Sequence, residues 1–379
     1  MFKDVQGEIS NILEDKSATV SDYLNLAKIL PNYSGEIPSY FRKIKGAFIS
    51  SFNIAGLSSV CRVEATFHNL WLDCYDAPYN QFTQEIINME SGLYRFSPDV
   101  IFLLLEKQDL IDNQHLEKLI TTLLEYTKAT IVVVGNGEQV FTGNRLYSLD
   151  LHMFLKKHGL QSHWRDKYAK LGDFRLNLSA FPFLARALTG FAVAHAGATR
   201  KCLVVDLDNT LWKGIAGEDG RDNLFPVDDL QLLILDLHSR GIAIAINSKN
   251  NHEDALEVIN NHPEMRIQAE HFSAMTINWD SKDRNMQILR DSLNIALDSF
   301  VFIDDSPHER ELIRTVYPEI AVLPPESLEN YVGFQGVNIT KEDQLRNLSY
   351  KLDKEGNQLQ ETFKDLDTFL KCFRHLTSR

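Results

Sequence analysis

Four short segments carry the residues best able to do chemistry: Asp206-Leu207-Asp208-Asn209-Thr210, Asn247-Ser248-Lys249, Asp280-Ser281-Lys282 and Asp304-Asp305-Ser306. If they meet, Asp206, Asp208, Asp304 and Asp305 crowd their carboxylates onto one rim, with the Ser248 hydroxyl and the ammonium groups of Lys249 and Lys282 beside them. Carboxylates packed this closely repel one another unless a divalent cation neutralises them. A donor set made only of oxygens, without histidine or cysteine, favours Mg²⁺, which keeps waters and accepts substrate phosphate oxygens. Lysine and serine suit the other oxygens of a phosphoryl group. Asp206 and Asp208 stand one residue apart, so in an extended segment they share a face; one can attack phosphorus while the other handles the leaving-group proton. The expected chemistry is Mg²⁺-dependent phosphoryl transfer through an aspartyl-phosphate.

The elements around these segments have to put them on one edge. Cys202 to Val205 reads as a buried strand leading into Asp206. Leu230, Leu233, Ile234 and Leu237 recur at helical spacing and Gly241 follows, so the pattern predicts an amphipathic helix over 228–240 with a glycine stop. Ile242 to Ile246 reads as a second strand, and His252 to Asn260 as a helix broken by Pro263. Ser281 can cap a helix running to about Asn294. Phe300 to Ile303 is a further strand, and Ser306-Pro307 offers an N-cap with proline at the first helical position, for a helix through Thr315. Strands and helices alternating in this way give a doubly wound α/β unit, which binds ligands at the carboxyl ends of its strands.

The first half has a similar texture. Residues 1–40 read as a helical lead ending near Pro31. Ala47 to Ile49, Val100 to Leu105 and Thr130 to Val134 read as buried strands, with helices near Phe82 to Met89, at 114–127 and at 148–158. The alanine- and aromatic-rich stretch 179–198 reads as a packing helix leading into the second domain. The tail from Thr340 is helical by composition, with Leu366, Phe369, Leu370 and Phe373 as its apolar stripe. The expected division is 1–40, 41–198, 199–340 and 341–379. Gly135-Asn136-Gly137 reads as a turn, not a dinucleotide loop.

Composition narrows the function classes. The 379 residues carry 39 Lys plus Arg against 52 Asp plus Glu, a net charge of −13, with no basic run. That balance argues against nucleic acid and against anionic membrane as partners. No uninterrupted apolar stretch is long enough for a membrane span, and the start MFKDVQGEIS has no apolar signal core. Cys61, Cys74, Cys202 and Cys372 are scattered without metal-finger spacing, so a reducing, cytoplasmic setting is expected. Cys202 and Cys372 read as packing residues.

In order, VVDLDNT, INSKN, DSK and FIDDS resemble motifs one to four of the haloacid-dehalogenase-like (HAD) hydrolases. The wider wording, DLDNTLWKGIAGEDG, INWDSKDRN and FIDDSPHERE, resembles the FkbH-like branch. The resemblance implies Asp206 as nucleophile and Asp208 as general acid/base, with Ser248 and Lys282 on the phosphoryl group. It implies Mg²⁺ held by Asp206, the Asp208 carbonyl and Asp304, with Asp305 as ligand or close neighbour. Lys249 would assist the phosphate or face solvent. The short interval between Asp206 and Ser248 leaves room only for a small flap at Trp212 to Gly220, so no large cap is expected. Trp279 would line the substrate entrance or serve as packing.

The branch further implies that a three-carbon acyl phosphate, 1,3-bisphosphoglycerate, loads a glyceryl unit onto an acyl carrier protein for natural-product biosynthesis. Leu207 stands where many relatives carry cysteine, which favours a simpler phosphomonoesterase of a small or protein-bound phosphate. A non-catalytic partner-binding module is the third reading. The first domain resembles an SGNH-like domain, with Ser50 or Ser51 at the nucleophile position. Its motif context, ISSFNIAG, lacks the expected glycine-aspartate, so a non-catalytic docking or lid role is expected.

Overall fold

The computed structural model describes residues 19–30, 37–106, 113–135, 143–160, 173 and 175–335. The tail beyond Thr340 and the Asn136-Gly137 pair lie outside these residues. The chain divides into two compact units between Thr199 and Arg200.

In the first unit, helix α1 (Val20–Ile29) precedes β1 (Arg42–Ser50), α2 (Leu57–Phe67), β2 (Leu70–Asp76), α3 (Phe82–Ile87), α4 (Gly92–Phe96), β3 (Val100–Leu105), α5 (Asn113–Tyr126), β4 (Thr130–Gly135), β5 (Leu146–Asp150), α6 (Leu151–Lys157) and α7 (Phe181–His195). The strands form one sheet in the order β2-β1-β3-β4-β5, parallel at each pairing. Every residue of β3 and β4 is buried, as a parallel sheet covered on both faces requires. Side chains alternate between two cores. Phe48, Phe102 and Val132 join α2 and α7, while Ala47, Ile49, Ile101, Leu103, Ile131 and Val133 face the helices on the other side.

Several elements depart from the expectation here, among them the helices α2 and α4, which the sequence reading leaves unassigned. The sequence reading places a helix over 148–158, but Leu146–Asp150 is a strand paired with Ile131 to Gly135. The helix begins only at Leu151, where the Asp150 carboxylate caps it by accepting the Met153 N–H at 2.9 Å. Partnership with the edge of β4 decides the conformation of a segment too short to declare it. β2 went unread because in LWLDCYD only Leu70 and Leu72 are buried, a half-buried alternation instead of a continuous apolar run.

The expected packing helix at 179–198 is α7. From Leu178 to His195 it is long and apolar enough, by length and composition, to cross a membrane. Phe181, Leu184, Ala185, Leu188, Ala192 and Val193 are nevertheless buried in the core of the first unit.

The second unit runs β6 (Cys202–Val205), β7 (Trp212–Lys213), α8 (Ala216–Asp219), β8 (Phe225–Pro226), α9 (Asp228–Ser239), β9 (Ala243–Ser248), α10 (His252–Asn261), β10 (Ala274–Ile277), α11 (Lys282–Leu293), β11 (Phe300–Ile303), α12 (Pro307–Val316) and β12 (Ala321–Leu323). Its sheet has the order β10-β9-β6-β11-β12, again parallel throughout. The chain leaves β6 for β9 on one side and reaches β11 on the other, so the topological switch lies beside β6. The antiparallel pair β7–β8 and the short α8 make the small flap. From Asp206 to Lys282 the described chain is taken up by this flap, α9, β9, α10 and β10, with no inserted lid domain. Gly241 ends α9 at φ 86°, a left-handed turn that glycine enters without strain. The Ser306 hydroxyl accepts the Glu309 N–H and Pro307 opens α12, as its sequence indicates. β10 and β12 went unread: β10 (AMTI) lacks the continuous apolar run that marks β6 and β11, and β12 has only three residues.

Candidate active site

β6 runs out at Val205, and the next residue, Asp206, stays in the ladder through its N–H to the Ile303 carbonyl, 3.1 Å. Leu207 is buried, and the chain then turns at Asn209, whose φ is 57°. On the other side of the switch, Asp304 follows β11 and is wholly buried. Its Oδ1 accepts the Ser306 N–H at 2.8 Å. The two loops are tied by the Asp305 N–H, which donates to Thr210 Oγ1 at 3.1 Å. The Arg310 guanidinium donates to the carbonyls of Asp304 and Asp305 at 2.8 and 2.9 Å.

Asp206, Asp304 and Asp305 each offer a carboxylate oxygen within 4.8 Å of the other two. Into this group reaches Lys282, the first residue of α11, itself buried. Its Nζ lies 2.7 Å from Asp206 Oδ1 and 2.5 Å from Asp304 Oδ2, with the Phe302 ring 5.8 Å away. Asn247, in the last turn of β9, donates to the Lys282 carbonyl at 2.9 Å and so holds the start of α11 against the strand. Ser248, buried at the end of β9, hydrogen-bonds Asp206. Ser281 occupies the N-cap position, but its side chain makes no capping bond.

Burial, with Asp304 adding to it, pushes the Asp206 carboxyl up to about 6, against the opposing pull of Lys282 and Ser248. Burial alone would lower Lys282; Asp206 and Asp304 outweigh it and hold the ammonium above the ordinary lysine value. Asp305 is raised by partial burial and by Asp304. Three carboxylates against one ammonium leave the cluster with an excess of negative charge. That excess and the all-oxygen donors fit a divalent cation of the Mg²⁺ type.

The other expected residues are placed differently. The Asp208 side chain is not one of the three clustered carboxylates. Its Oδ1 accepts the Trp212 indole N–H at 2.9 Å and the Ala216 N–H at 3.0 Å, and its Oδ2 accepts from Asn250 at 2.8 Å. Asp208 therefore joins the flap to the start of α10. Lys249 pairs with Glu309 at 2.7 Å instead of joining the carboxylates. His308 is exposed on α12, and Trp279 is 75% exposed. The sequence reading did not assign Thr210, Trp212, Asn250 or Arg310. All four sit inside the quoted motif strings, and the signal was their polar side chains next to acids that need donors. In the first unit, Ser50 Oγ accepts the Phe52 N–H and Ser51 Oγ the Glu106 N–H, at 3.2 and 3.0 Å.

No family model matches the chain, and no curated protein is significantly similar to it. Among solved structures, it resembles the N-terminal part of the protein BF1531 from Bacteroides fragilis, which contains a phosphatase domain and was crystallised with Mg. The identity is 22%, the TM-score 0.67, and the match covers 85% of this chain and 98% of that one. A Legionella pneumophila chain described as a HAD-superfamily (subfamily III A) hydrolase matches at 21% identity over 45% of this chain and 93% of its own. Its TM-score of 0.25 is too low to bear on the fold. The likeness to the Bacteroides protein spans both units, and the chain has an α/β fold of parallel sheets with a doubly wound second unit.

Proposed function

We propose that the chain is a Mg²⁺-dependent phosphatase of HAD type. The observation that carries this reading is the meeting of Asp206, Asp304 and Asp305 with Lys282 and Ser248 at the carboxyl ends of β6, β9 and β11. Asp206, Asp304 and Asp305, with the Asp208 carbonyl, would hold the ion. When bound, Mg²⁺ supplies positive charge against both the carboxylates and the phosphate oxygens. Asp206 attacks phosphorus and displaces the leaving-group oxygen, giving an aspartyl-phosphate. Asp208 delivers a proton to that oxygen, then takes one from the water that hydrolyses the acyl phosphate. Lys282 and Ser248 hold the non-bridging oxygens, and Lys282 keeps the attacking carboxylate in place. Lys249, paired with Glu309, belongs to the support of α12 in this scheme.

The finer reading is that of the FkbH-like branch, in which a three-carbon acyl phosphate supplies a glyceryl unit to a carrier-protein thiol. The motif wording and the absence of a large lid between Asp206 and Lys282 support it, because a tethered substrate needs an uncapped approach. Leu207 supports plain hydrolysis instead, since it is buried and offers no thiol. One set of assays tests both. Phosphate release from a generic phosphomonoester should require Mg²⁺ and vanish in Asp206→Asn, while the circular dichroism of that variant stays unchanged. Retained turnover in Asp206→Asn would overturn the mechanism. Incubation with 1,3-bisphosphoglycerate and a phosphopantetheinylated carrier protein, followed by mass measurement of the carrier, decides whether transfer accompanies hydrolysis.

A further inference from the structure

Two tryptophans of the second unit are used in opposite ways. Trp212 has no exposed surface and its indole N–H is bonded to Asp208. Trp279 is 75% exposed, the most open of the large apolar side chains among the described residues. It stands just past the carboxyl end of β10, three residues before Lys282.

The segment that displays it is firmly held. The Asn278 N–H donates to the Ser248 carbonyl at 3.2 Å, so the backbone before Trp279 is fastened to the residue that contacts Asp206. Asn278 and the wholly buried Asn285 of α11 exchange side-chain amide bonds at 3.2 and 3.0 Å. Asn278 Oδ1 also accepts the Asp280 N–H at 2.9 Å, closing the turn around Trp279. An exposed indole on a turn held this firmly, at the carboxyl end of the strand next to β9 and three residues before Lys282, can receive a flat group.

We propose that Trp279 is a specificity-determining residue that stacks on a planar aromatic leaving group of the phosphoester. The inference rests on the phosphatase reading above and adds the substrate class. Stacking on the face of the ring touches none of the atoms whose bonds change and holds substrate and transition state about equally, so it acts on KM and leaves kcat alone.

The test compares phenyl phosphate with glycerol phosphate as substrates at saturating Mg²⁺. In Trp279→Ala, kcat/KM for phenyl phosphate should fall ~tenfold through KM, with less than about a twofold change for glycerol phosphate. Trp279→Phe should restore most of the loss. Equal losses on both substrates, or no loss on either, would overturn the proposal. If the unaltered protein hydrolyses neither ester, the phosphatase reading fails. Calorimetric binding of phenylphosphonate to the unaltered protein and to Trp279→Ala still tests the stacking: weaker binding to the variant supports it, and equal or undetectable binding to both defeats it.

Discussion

The indole N–H of the buried Trp212 donates to Asp208 Oδ1 at 2.9 Å, so the acid two residues past Asp206 is oriented by the flap that follows it in sequence. The Ala216 N–H and the Asn250 amide complete the grip. If Asp208 is the proton donor, its orientation matters most when the leaving group needs a proton. Trp212→Phe keeps most of the packing and removes the donor. The expected result is a ~tenfold fall in kcat on an alkyl phosphate and a much smaller one on 4-nitrophenyl phosphate, whose anion departs unaided. Equal falls on both esters would show that Trp212 only supports the fold.

Lys282 answers two carboxylates at once, Asp206 at 2.7 Å and Asp304 at 2.5 Å. Lys282→Met leaves two buried acids facing each other without a cation. Metal-free, the variant is expected to lose about 3 kcal/mol of stability, the range seen when one partner of a buried ion pair is removed. Mg²⁺ should recover much of that loss in thermal melts without restoring turnover, because the phosphate oxygens still lack the ammonium. A variant that melts like the parent in the presence of a chelator would contradict the role assigned to Lys282.

The fold and the cluster were legible to different depths. Asp206, Ser248 and Asp304 could be placed because each closes a run of apolar residues, and a buried parallel strand announces itself by such a run. The helix starts at Lys282 and Pro307 were legible for the same local reason, a serine at the N-cap position before an amphipathic stretch, although only Ser306 caps with its side chain. The turning of Lys249 towards Glu309 was not, since it depends on how α12 lies beside β9, and neighbouring residues in sequence carry no record of that. Asp208 was identified by type and spacing, whereas its three donors come from a flap and a helix start that only the folded chain brings together. β2 and β5 escaped because their pattern is half-buried and their conformation is set by partner strands.

The raised carboxyls of Asp206 and Asp305 give the metal-free protein a definite pH dependence. An acid whose folded value exceeds its unfolded value of about 4 binds more protons in the native state, so stability falls as pH rises through that interval. With chelator present, the melting temperature should decline between about pH 4 and pH 6, the window set by the Asp206 carboxyl at about 6. Mg²⁺ binds the ionised carboxylates and is expected to raise the melting temperature more at pH 7 than at pH 5. Asp206→Asn should flatten the chelated profile. A profile that climbs from pH 4 to pH 6 in the unaltered, metal-free protein would be incompatible with this electrostatic picture.

The first unit has a buried charge of its own, and it is independent of the candidate site. Glu64 on α2 has a side chain only 2% exposed, paired with Arg186 of α7 at 3.1 Å. The Tyr23 hydroxyl of α1 donates to the same carboxylate at 3.4 Å. Three helices are thus joined through one acid, and Glu64 in turn holds the Arg186 guanidinium above its ordinary value. Removing Arg186 leaves the buried Glu64 carboxyl under the helices without its arginine partner, so Arg186→Met should cost about 3 kcal/mol in urea unfolding. Adding Glu64→Gln removes the orphaned carboxyl and keeps an acceptor for Tyr23. The double variant should therefore recover to within about 1 kcal/mol of the parent. If it is no more stable than Arg186→Met alone, the loss came from the packing of the arginine stem against α2 and α7, and the ion pair is not what joins the helices.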